Sequence, residues 1–145
     1  GAALDHKAAV VAKAVAHHGE ALDDPLEVLR RLGGRELAAI CGAVVQARLS
    51  RIPVLLDGYV CCAAAAVLDH AAPGALDHCQ VGHVSTEPGH RRLLEKIGKR
   101  PLLNLDMRLG EATGAVLAVP VLRAAVACHT GMATFTDAGV SDKEG

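Results

Sequence analysis

Residues 53–71, PVLLDGYVCCAAAAVLDHA, decide the fold class of this chain. The run from Pro53 to Asp57 is apolar without alternation, which is typical of a strand buried on both faces of a parallel sheet. Gly58 interrupts it, and the alanine-rich stretch from Tyr59 to Ala71 predicts a helix. A buried strand followed at once by a helix is the first half of a βαβ unit, so this stretch predicts an α/β fold.

Three helices are predicted before this stretch. Apolar residues recur at helical spacing over about 4–18, which indicates an amphipathic helix. The segment Asp24-Pro25-Leu26-Glu27 combines an N-cap aspartate with proline at the first helical position and therefore begins a second, short helix. That helix ends at Gly33-Gly34, and a third apolar helix face extends from Leu37 to about Leu49.

Strands and helices alternate after residue 71. The predicted elements are a weak strand at His78–Gly82, a helix at Arg91–Ile97, an extended piece at Leu102–Leu105, an apolar helix at Ala115–Cys128 interrupted by Pro120, and a last helical turn or two at Met132–Ala138. This order predicts a mostly parallel, Rossmann-like sheet with crossover helices, to which the amino-terminal segment adds further helices.

Three loops of this fold leave strands and enter helices. They lie around Asp57-Gly58, around Ser85–His90 and around Arg108–Gly114. Ligands of open α/β sheets bind at the carboxyl ends of the strands, so we expect a functional site where these loops meet.

Composition excludes several classes of function. The chain has 145 residues, which fits one domain, and its mean hydropathy of +0.28 is that of a packed protein. Aromatic residues make up 1% and the net charge is −1, so neither base stacking nor a basic surface for nucleic acid is expected.

The lengths of the apolar runs and the pattern of cysteines indicate the cellular compartment of the protein. No uncharged run approaches the roughly 18 residues of a membrane span, and no signal-peptide pattern is present at the start, so we expect a cytoplasmic protein without a membrane partner. The five cysteines are odd in number and lack CxxC spacing, and most lie among alanines and valines. We interpret them as buried, reduced thiols.

Glu111 is the first candidate for chemistry. It lies between Gly110 and Gly114 in a segment flanked by apolar residues, and a carboxylate in apolar surroundings can act as a general base. The alternative is structural, because an acidic residue near a helix start also stabilises the helix dipole and its free N–H groups.

Four other residues have both a binding and a structural interpretation. Ser85 and Thr86 precede a predicted helix start and form either a phosphate cradle, with Arg91 and Arg92 adding charge, or an ordinary cap and turn. Asp57 either binds a ribose hydroxyl or caps the next helix, and Lys7 either contacts a phosphate or ring or is simply solvated.

No metal or cofactor is predicted. The chain has eight histidines, but their spacing with the cysteines matches neither paired CxxC nor HExxH ligand patterns. We interpret the histidines as exposed or hydrogen-bonded.

Six segments occur in an order that carries a family resemblance: LDHK, DPLEVLRRLGG, IPVLLDGYV, HVSTEPGH, LLNLDMRLGEATGA and MATFTDAGVS. Over nearly all of its 145 residues the chain resembles the carboxyl-terminal part of nicotinate-nucleotide:dimethylbenzimidazole phosphoribosyltransferase. The resemblance implies a transfer of phosphoribose from nicotinate mononucleotide to 5,6-dimethylbenzimidazole. The products are α-ribazole 5′-phosphate and nicotinate, made for the lower loop of cobalamin.

The resemblance also implies roles for particular residues. Glu111 corresponds to the family's general base. Leu109 matches a residue lining the benzimidazole site, and Gly110 beside it is placed with the substrate-binding residues. Ser85 falls in the loop near the phosphate, and Lys7 matches a lysine near the ribosyl phosphate. No metal is implied, and a homodimer is.

The chain departs from the family pattern in places. Ala112 and Thr86 stand where the family generally has Gly and Ala, and Gly131 stands where it often has Glu. We expect residues 1–145 to be the carboxyl-terminal part of a larger domain, with the upstream half missing and the chain inactive alone. The alternative is a non-catalytic anion- or nucleotide-binding module derived from the same fold.

Overall fold

The computed structural model describes residues 1–141, which follow the element order expected from the sequence. The helices are α1 (Ala2–His18), α2 (Pro25–Val28), α3 (Gly34–Leu49), α4 (Tyr59–Ala71), α5 (Pro88–Lys96) and α6 (Thr113–Gly131); the strands are β1 (Val54–Leu56), β2 (Cys79–His83) and β3 (Pro101–Leu103). A short 3₁₀ turn at Gly19–Ala21 follows α1, and a π-helical turn at Leu29–Gly33 joins α2 to α3.

The three strands form one parallel sheet in the order β1-β2-β3. Val54 pairs with Cys79 and Leu56 with Val81, while His83 pairs with Leu103 on the other side of β2. Helices α4 and α5 are the two crossovers and pack against each other, α3 packs against α4, and α6 contacts all three strands. The prediction of a parallel α/β fold with crossover helices is confirmed.

The hydrophobic core lies between the sheet and helices α3, α4 and α5. Its buried members come from each of these elements and from the intervening loops: Val44, Leu56, Cys62, Ala65, Leu76, Cys79, Val81, Val84, Leu94 and Ile97. Small residues on α4 let that helix lie close to α3, where the Cys41 thiol donates to the Ala64 carbonyl at 3.2 Å, and Cys62, Ala64 and Ala65 are fully buried. This packing fixes the carboxyl ends of β1 and β2, from which two of the expected functional loops depart.

Two helical segments lie outside this core. Helix α1 has no buried residue, and the buried residues of α6, Gly114, Ala115 and Ala118, are all in its first half. By length and composition α6 would suffice to cross a membrane, which the sequence pattern had not suggested. Because its first two turns pack on the sheet and Pro120 and Arg123 interrupt its apolar sequence, α6 here has the packing of a helix that belongs to the domain.

Some predicted bounds change. The strand expected at His78–Gly82 begins and ends one residue later, and the extended piece expected at Leu102–Leu105 lies at Pro101–Leu103. Of the helical turn or two expected at Met132–Ala138, a single turn forms, in which the Ala138 N–H donates to the Thr134 carbonyl at 2.9 Å. There the Asp137 carboxylate accepts hydrogen bonds from the Thr134 N–H and hydroxyl at 3.1 and 2.6 Å, and the Thr134 hydroxyl oxygen accepts one from the Asp137 N–H at 3.1 Å. This reciprocal pattern is that of a capping box, which favours the start of a helical turn.

The cysteine prediction is confirmed in part. All five thiols are free; Cys41, Cys62 and Cys79 are buried, Cys61 is half-buried, and Cys128 is exposed. Burial raises the pKa of the Cys62 thiol to about 12, with smaller contributions from Cys61, Asp57 and Cys79. Cys62 is therefore an inert core residue.

Candidate active site

The three expected loops meet at one cleft of about 700 Å³ at the carboxyl edge of the sheet. Its lining includes Asp57 and Gly58 after β1, Ser85 and Glu87 after β2, and the segment 108–112 before α6. The edge was predicted from the strand–helix order alone, and the cleft confirms that the loops come together there.

Glu111 lies on the rim of the cleft in an unusual turn. Gly110, Glu111 and Ala112 have φ angles of +77°, +58° and +62°, so three successive residues are left-handed. The Thr113 N–H and hydroxyl close the turn by donating to the Gly110 carbonyl at 3.0 and 2.7 Å. Left-handed geometry is unfavourable for residues with a Cβ, so the surrounding contacts must hold this turn.

The environment expected for Glu111 is not formed. The sequence predicted a carboxylate among apolar side chains, but Glu111 is exposed, and its neighbour Leu109 is 74% exposed. The left-handed backbone at Gly110–Ala112 and the exposure of this loop are not revealed by the apolar neighbours in the sequence. Glu111 also makes no cap bond to α6, so the alternative interpretation as a capping residue is not supported either.

Asp57 makes the cap that Glu111 does not. The carboxylate is buried, with 7% of the residue exposed, and its Oδ1 accepts a hydrogen bond from the Ala115 N–H at 2.9 Å. The cap therefore stabilises the start of α6, 58 residues away, whereas α4, which follows Asp57 in sequence, has no side-chain cap. The expectation that Asp57 caps the next helix is wrong.

His83 lies beside Asp57 at the end of β2. It is 1% exposed, its Nε2 is 3.6 Å from Asp57 Oδ1, and neither ring nitrogen has a hydrogen-bond partner among the described residues. The ring packs against Gly114, where an added Cβ would approach the Cδ2 of His83 to 1.9 Å. One residue back, a Cβ on Gly82 would come within 2.8 Å of the Cα of Ala115. The two glycines let α6 begin directly on the backbone of β2.

The Ser85 loop is held by a second buried histidine. His90 is fully buried, and its Nδ1 accepts the Ser85 N–H at 2.9 Å and lies 2.9 Å from the Ser85 hydroxyl. Burial, followed by the nearby His83, lowers the pKa of His90, in keeping with a ring nitrogen that accepts a proton donor. The Ser85 hydroxyl and then the backbone also lower the pKa of the Glu87 carboxyl.

The structure brings together most of the predicted site residues. Ser85, Leu109, Gly110 and Glu111 all line the cleft. Lys7 does not: it is exposed on α1 and is not among the lining residues. Thr86 is exposed beside Ser85, and the pair Arg91 and Arg92 is exposed on α5 without lining the cleft.

Charge in the cleft is predominantly negative. Carboxylates of Glu36, Asp57, Glu87 and Glu111 line it, and Arg108 is the one lining residue of the described chain with a permanent positive charge. Between residues 1 and 141, no group of three or more His, Cys, Asp or Glu side chains is placed to hold a metal ion.

Sequence reasoning missed three contributors. The histidines were expected to be exposed or hydrogen-bonded, which holds for His90 through its bond to Ser85, whereas His83 is buried and has no hydrogen-bond partner among the described residues. Tyr59, the sole tyrosine, lines the cleft and lies 5.9 Å from the His90 ring, measured between ring centres. The available signal was position: His83 comes directly after a predicted strand, and Tyr59 begins the helix that follows another.

The chain is similar to proteins of a known family. A family model described as phosphoribosyltransferase matches residues 1–140. A curated relative from Rhizobium johnstonii, named nicotinate-nucleotide–dimethylbenzimidazole phosphoribosyltransferase, is 64% identical over 143 residues, covering 99% of this chain and 42% of the relative. A relative of the same name from Rhizobium meliloti is 62% identical over 144 residues, covering 99% of this chain and 43% of its own length.

A solved structure is similar as well. The crystal structure of nicotinate-nucleotide–dimethylbenzimidazole phosphoribosyltransferase from Thermus thermophilus superposes with a TM-score of 0.76 at 51% identity. The match covers 82% of this chain and 36% of the Thermus chain. The chain thus spans about two fifths of the length of the curated relatives it matches.

Proposed function

The chain belongs to the phosphoribosyltransferase family, and from that membership we propose that it supplies one wall of an active site that transfers phosphoribose from nicotinate mononucleotide to 5,6-dimethylbenzimidazole. The observation that carries the proposal is the cleft in which Ser85, Leu109, Gly110 and Glu111 meet. Five residues were expected at the substrates; these four come from two separate loops and line one cleft, whereas Lys7 does not.

The reaction requires a base at the acceptor. In the proposed step, one ring nitrogen of the benzimidazole attacks the anomeric carbon of the ribose while the bond from that carbon to the nicotinate nitrogen breaks. The Glu111 carboxylate accepts the proton from the other ring nitrogen, so nicotinate leaves and α-ribazole 5′-phosphate is released. Attack from the face opposite the leaving group converts the β configuration to α.

The geometry of Glu111 suits a base that meets its substrate from the rim. Glu111 is exposed in its left-handed turn, and Leu109 two residues earlier is exposed on the same loop. An aromatic acceptor that covers Leu109 would also remove water from around the Glu111 carboxylate, which strengthens its basicity. We propose that the apolar enclosure predicted from the sequence forms only with the acceptor bound.

The phosphate end of the site needs positive charge. Arg108 is the cation of the cleft lining, and it stands among four carboxylates. Lys7, proposed to lie near the ribosyl phosphate, is carried by the exposed helix α1. We propose that α1 reaches the phosphate only when packed against another part of the enzyme. In this chain, the charge balance of the cleft disfavours the alternative of a simple anion-binding module.

Three further features belong to the same proposal. We propose that the enzyme works in the cytoplasm, that it needs no metal or other cofactor, and that it acts as a homodimer. The exposed apolar faces of α1 and α6 are compatible with cover by another segment or subunit. Residues 1–145 would then contribute the carboxyl-terminal part of the catalytic domain.

The test uses this chain in the context of a longer relative. This chain replaces the matched region of the Rhizobium johnstonii protein, and the chimera is incubated with nicotinate mononucleotide and dimethylbenzimidazole. Chromatography then measures α-ribazole 5′-phosphate. We expect product from the chimera and a 10²- to 10⁴-fold lower kcat with Glu111→Gln, the range typical of a lost general base.

A matched control separates the base from loss of any carboxylate. Glu95→Gln removes an exposed carboxylate on α5 and should leave kcat unchanged. Undiminished turnover by Glu111→Gln would remove Glu111 from the base role, and a folded chimera that makes no product would contradict the activity. The chain alone, assayed in parallel, is expected to make none.

A further inference from the structure

We infer that Asp57 is a positioning residue, which fixes the Glu111 turn over the cleft through its bond to the start of α6, with the buried His83 ring as the opposing contact. The inference rests on the proposed function for its kinetic consequence. Its structural part stands on contacts within this chain alone.

Three contacts from two strands converge on the start of α6. Asp57, at the end of β1, accepts the Ala115 N–H at 2.9 Å. The ring of His83, at the end of β2, fills the space that a side chain on residue 114 would need, and Gly82 brings the β2 backbone against Ala115. Gly114 and Ala115 are therefore fixed against both strands, and both are buried.

This anchor lies directly after the strained part of the turn. Glu111 and Ala112 are left-handed residues with side chains, and Thr113 and Gly114 link them to Ala115. Unfavourable backbone geometry persists only where neighbouring contacts determine it. Among the described residues, the exposed Glu111 side chain makes no hydrogen bond of its own, so its position depends on the backbone that Asp57 holds.

Burial explains why a carboxylate serves here. Asp57 and His83 are 7% and 1% exposed, and the His83 Nε2 is the nearest basic nitrogen, 3.6 Å from Asp57 Oδ1. A buried carboxylate is stable only with donors around it, and a charge-assisted bond to a helix-start N–H is stronger than a neutral one. A shift of α6 would break the bond from the Ala115 N–H to Asp57 and the packing of His83 on Gly114. Asp57 and His83 therefore resist such a shift.

The kinetic test is a double-mutant cycle in the chimera. Asp57→Ala is expected to lower kcat about 10- to 100-fold, because a misplaced catalytic group costs about that much, with KM for both substrates changed less than about threefold. In the Glu111→Gln background the same Asp57→Ala change should lower kcat less than about threefold, since Asp57 acts through Glu111. Asp57→Asn keeps an acceptor oxygen and should recover most of the loss.

The chain provides a matched control for the loss of a helix cap. Asp24 caps α2 by accepting the Leu26 N–H at 2.8 Å, outside the cleft. Asp24→Ala removes the same kind of bond and should leave kcat unchanged. An equal effect from both cap deletions would mean that general destabilisation, and not positioning, lowers the rate.

A second measurement does not depend on activity. Amide hydrogen exchange of Ala115 in the chain itself should be slow in the native sequence and in Asp57→Asn, and faster by at least tenfold in Asp57→Ala. If Asp57→Ala does not fold, both the amide exchange and the kcat are measured on Asp57→Asn instead. This variant should keep the protection of Ala115 and most of kcat.

The outcomes separate this inference from the proposed function. A large effect of Glu111→Gln with no effect of Asp57→Ala would overturn the positioning role and leave the proposed reaction standing. Additive effects in the cycle, or a KM that rises tenfold in Asp57→Asn, would assign Asp57 to substrate contact instead. If no variant of the chimera turns over, unprotected Ala115 in the native chain would still refute the anchor.

Discussion

The central part of the chain and its two helical arms have similar apolar sequences but different packing. We define the arms as α1 and the second half of α6, residues 119–131. Every buried residue of the described chain lies between Cys41 and Ala118. In the arms, apolar side chains such as Leu4 and Val126 are 68% and 61% exposed.

The difference shows that helical periodicity predicts a helix and its apolar side but not the surface against which that side packs. The spacing of apolar residues predicts that α1 exists and which side of it is apolar. The spacing does not specify the surface against which α1 packs, because any apolar surface of matching shape would serve. In the central part, the strand–helix alternation supplies the partner as well, since consecutive βα units pack against one another.

The difference in packing between the central part and the arms is tested most directly by making the same substitution in each. Leu56→Ala removes a side chain that is 2% exposed in the core and should lower the free energy of unfolding by about 2–5 kcal/mol. Leu4→Ala on α1 should change it by less than about 0.5 kcal/mol, because little surface is buried there. Urea unfolding of both variants measures the two effects.

Equal losses from Leu56→Ala and Leu4→Ala would show that α1 is packed in solution as firmly as the sheet. In that case the arms would be part of the core, and the distinction between the two regions would fail.

Two glycines test the same difference within one helix, because Gly114 lies in the packed half of α6 and Gly131 in its exposed half. Gly114→Ala places a Cβ 1.9 Å from the buried His83 ring and should lower the free energy of unfolding by about 1–3 kcal/mol. Gly131→Ala, in the arm, meets nothing within 4 Å and should be neutral or stabilising by up to about 1 kcal/mol. Thermal unfolding followed by circular dichroism compares them.

A companion variant tests the cause of the Gly114→Ala loss. His83→Ala removes the ring that the new methyl group meets, so the double variant should be less destabilised than the sum of the two single ones. Additive losses would mean that contact with His83 is not what excludes a side chain at residue 114.

Local signals determined most of the fold that the sequence could predict. The bounds of α4 are as expected because Gly58 and the Pro73-Gly74 pair flank a run without helix breakers. The Asp24 cap of α2 is confirmed for the same reason, since cap and helix are adjacent. The last predicted helical turn forms from Thr134 to Ala138, where the side chains of Thr134 and Asp137 each accept the other's backbone N–H.

The site was predictable in location and not in detail. Parallel strands bring their carboxyl ends to one edge, so the meeting of the loops with Ser85 and Glu111 followed from element order. The bond from Asp57 to Ala115 crosses 58 residues, and no pattern near either residue announces it. The exposure of Glu111 depends on three successive positive φ angles, of which only that of Gly110 is at a residue type that signals one.

The smallest predicted effect concerns pH and the buried His90. Its Nδ1 accepts the Ser85 N–H, and burial lowers its pKa, so the folded chain holds the neutral ring. As the pH falls below the ordinary value of about 6.5, the unfolded chain binds a proton that the folded chain refuses. Stability is therefore complete above that pH and declines below it, until the lowered pKa of the folded state is reached.

His90→Asn tests this dependence because an amide oxygen can accept the Ser85 N–H without titrating near neutral pH. Urea unfolding between pH 5 and 7.5 should give a shallower decline for His90→Asn than for the native chain. His18, whose pKa is also lowered, by limited burial and then by His17, Arg31 and Arg30, belongs to an exposed arm, so His18→Asn should change the decline less. A greater change from His18→Asn than from His90→Asn would show that the pH dependence of stability comes from α1, and would contradict its assignment to the buried His90.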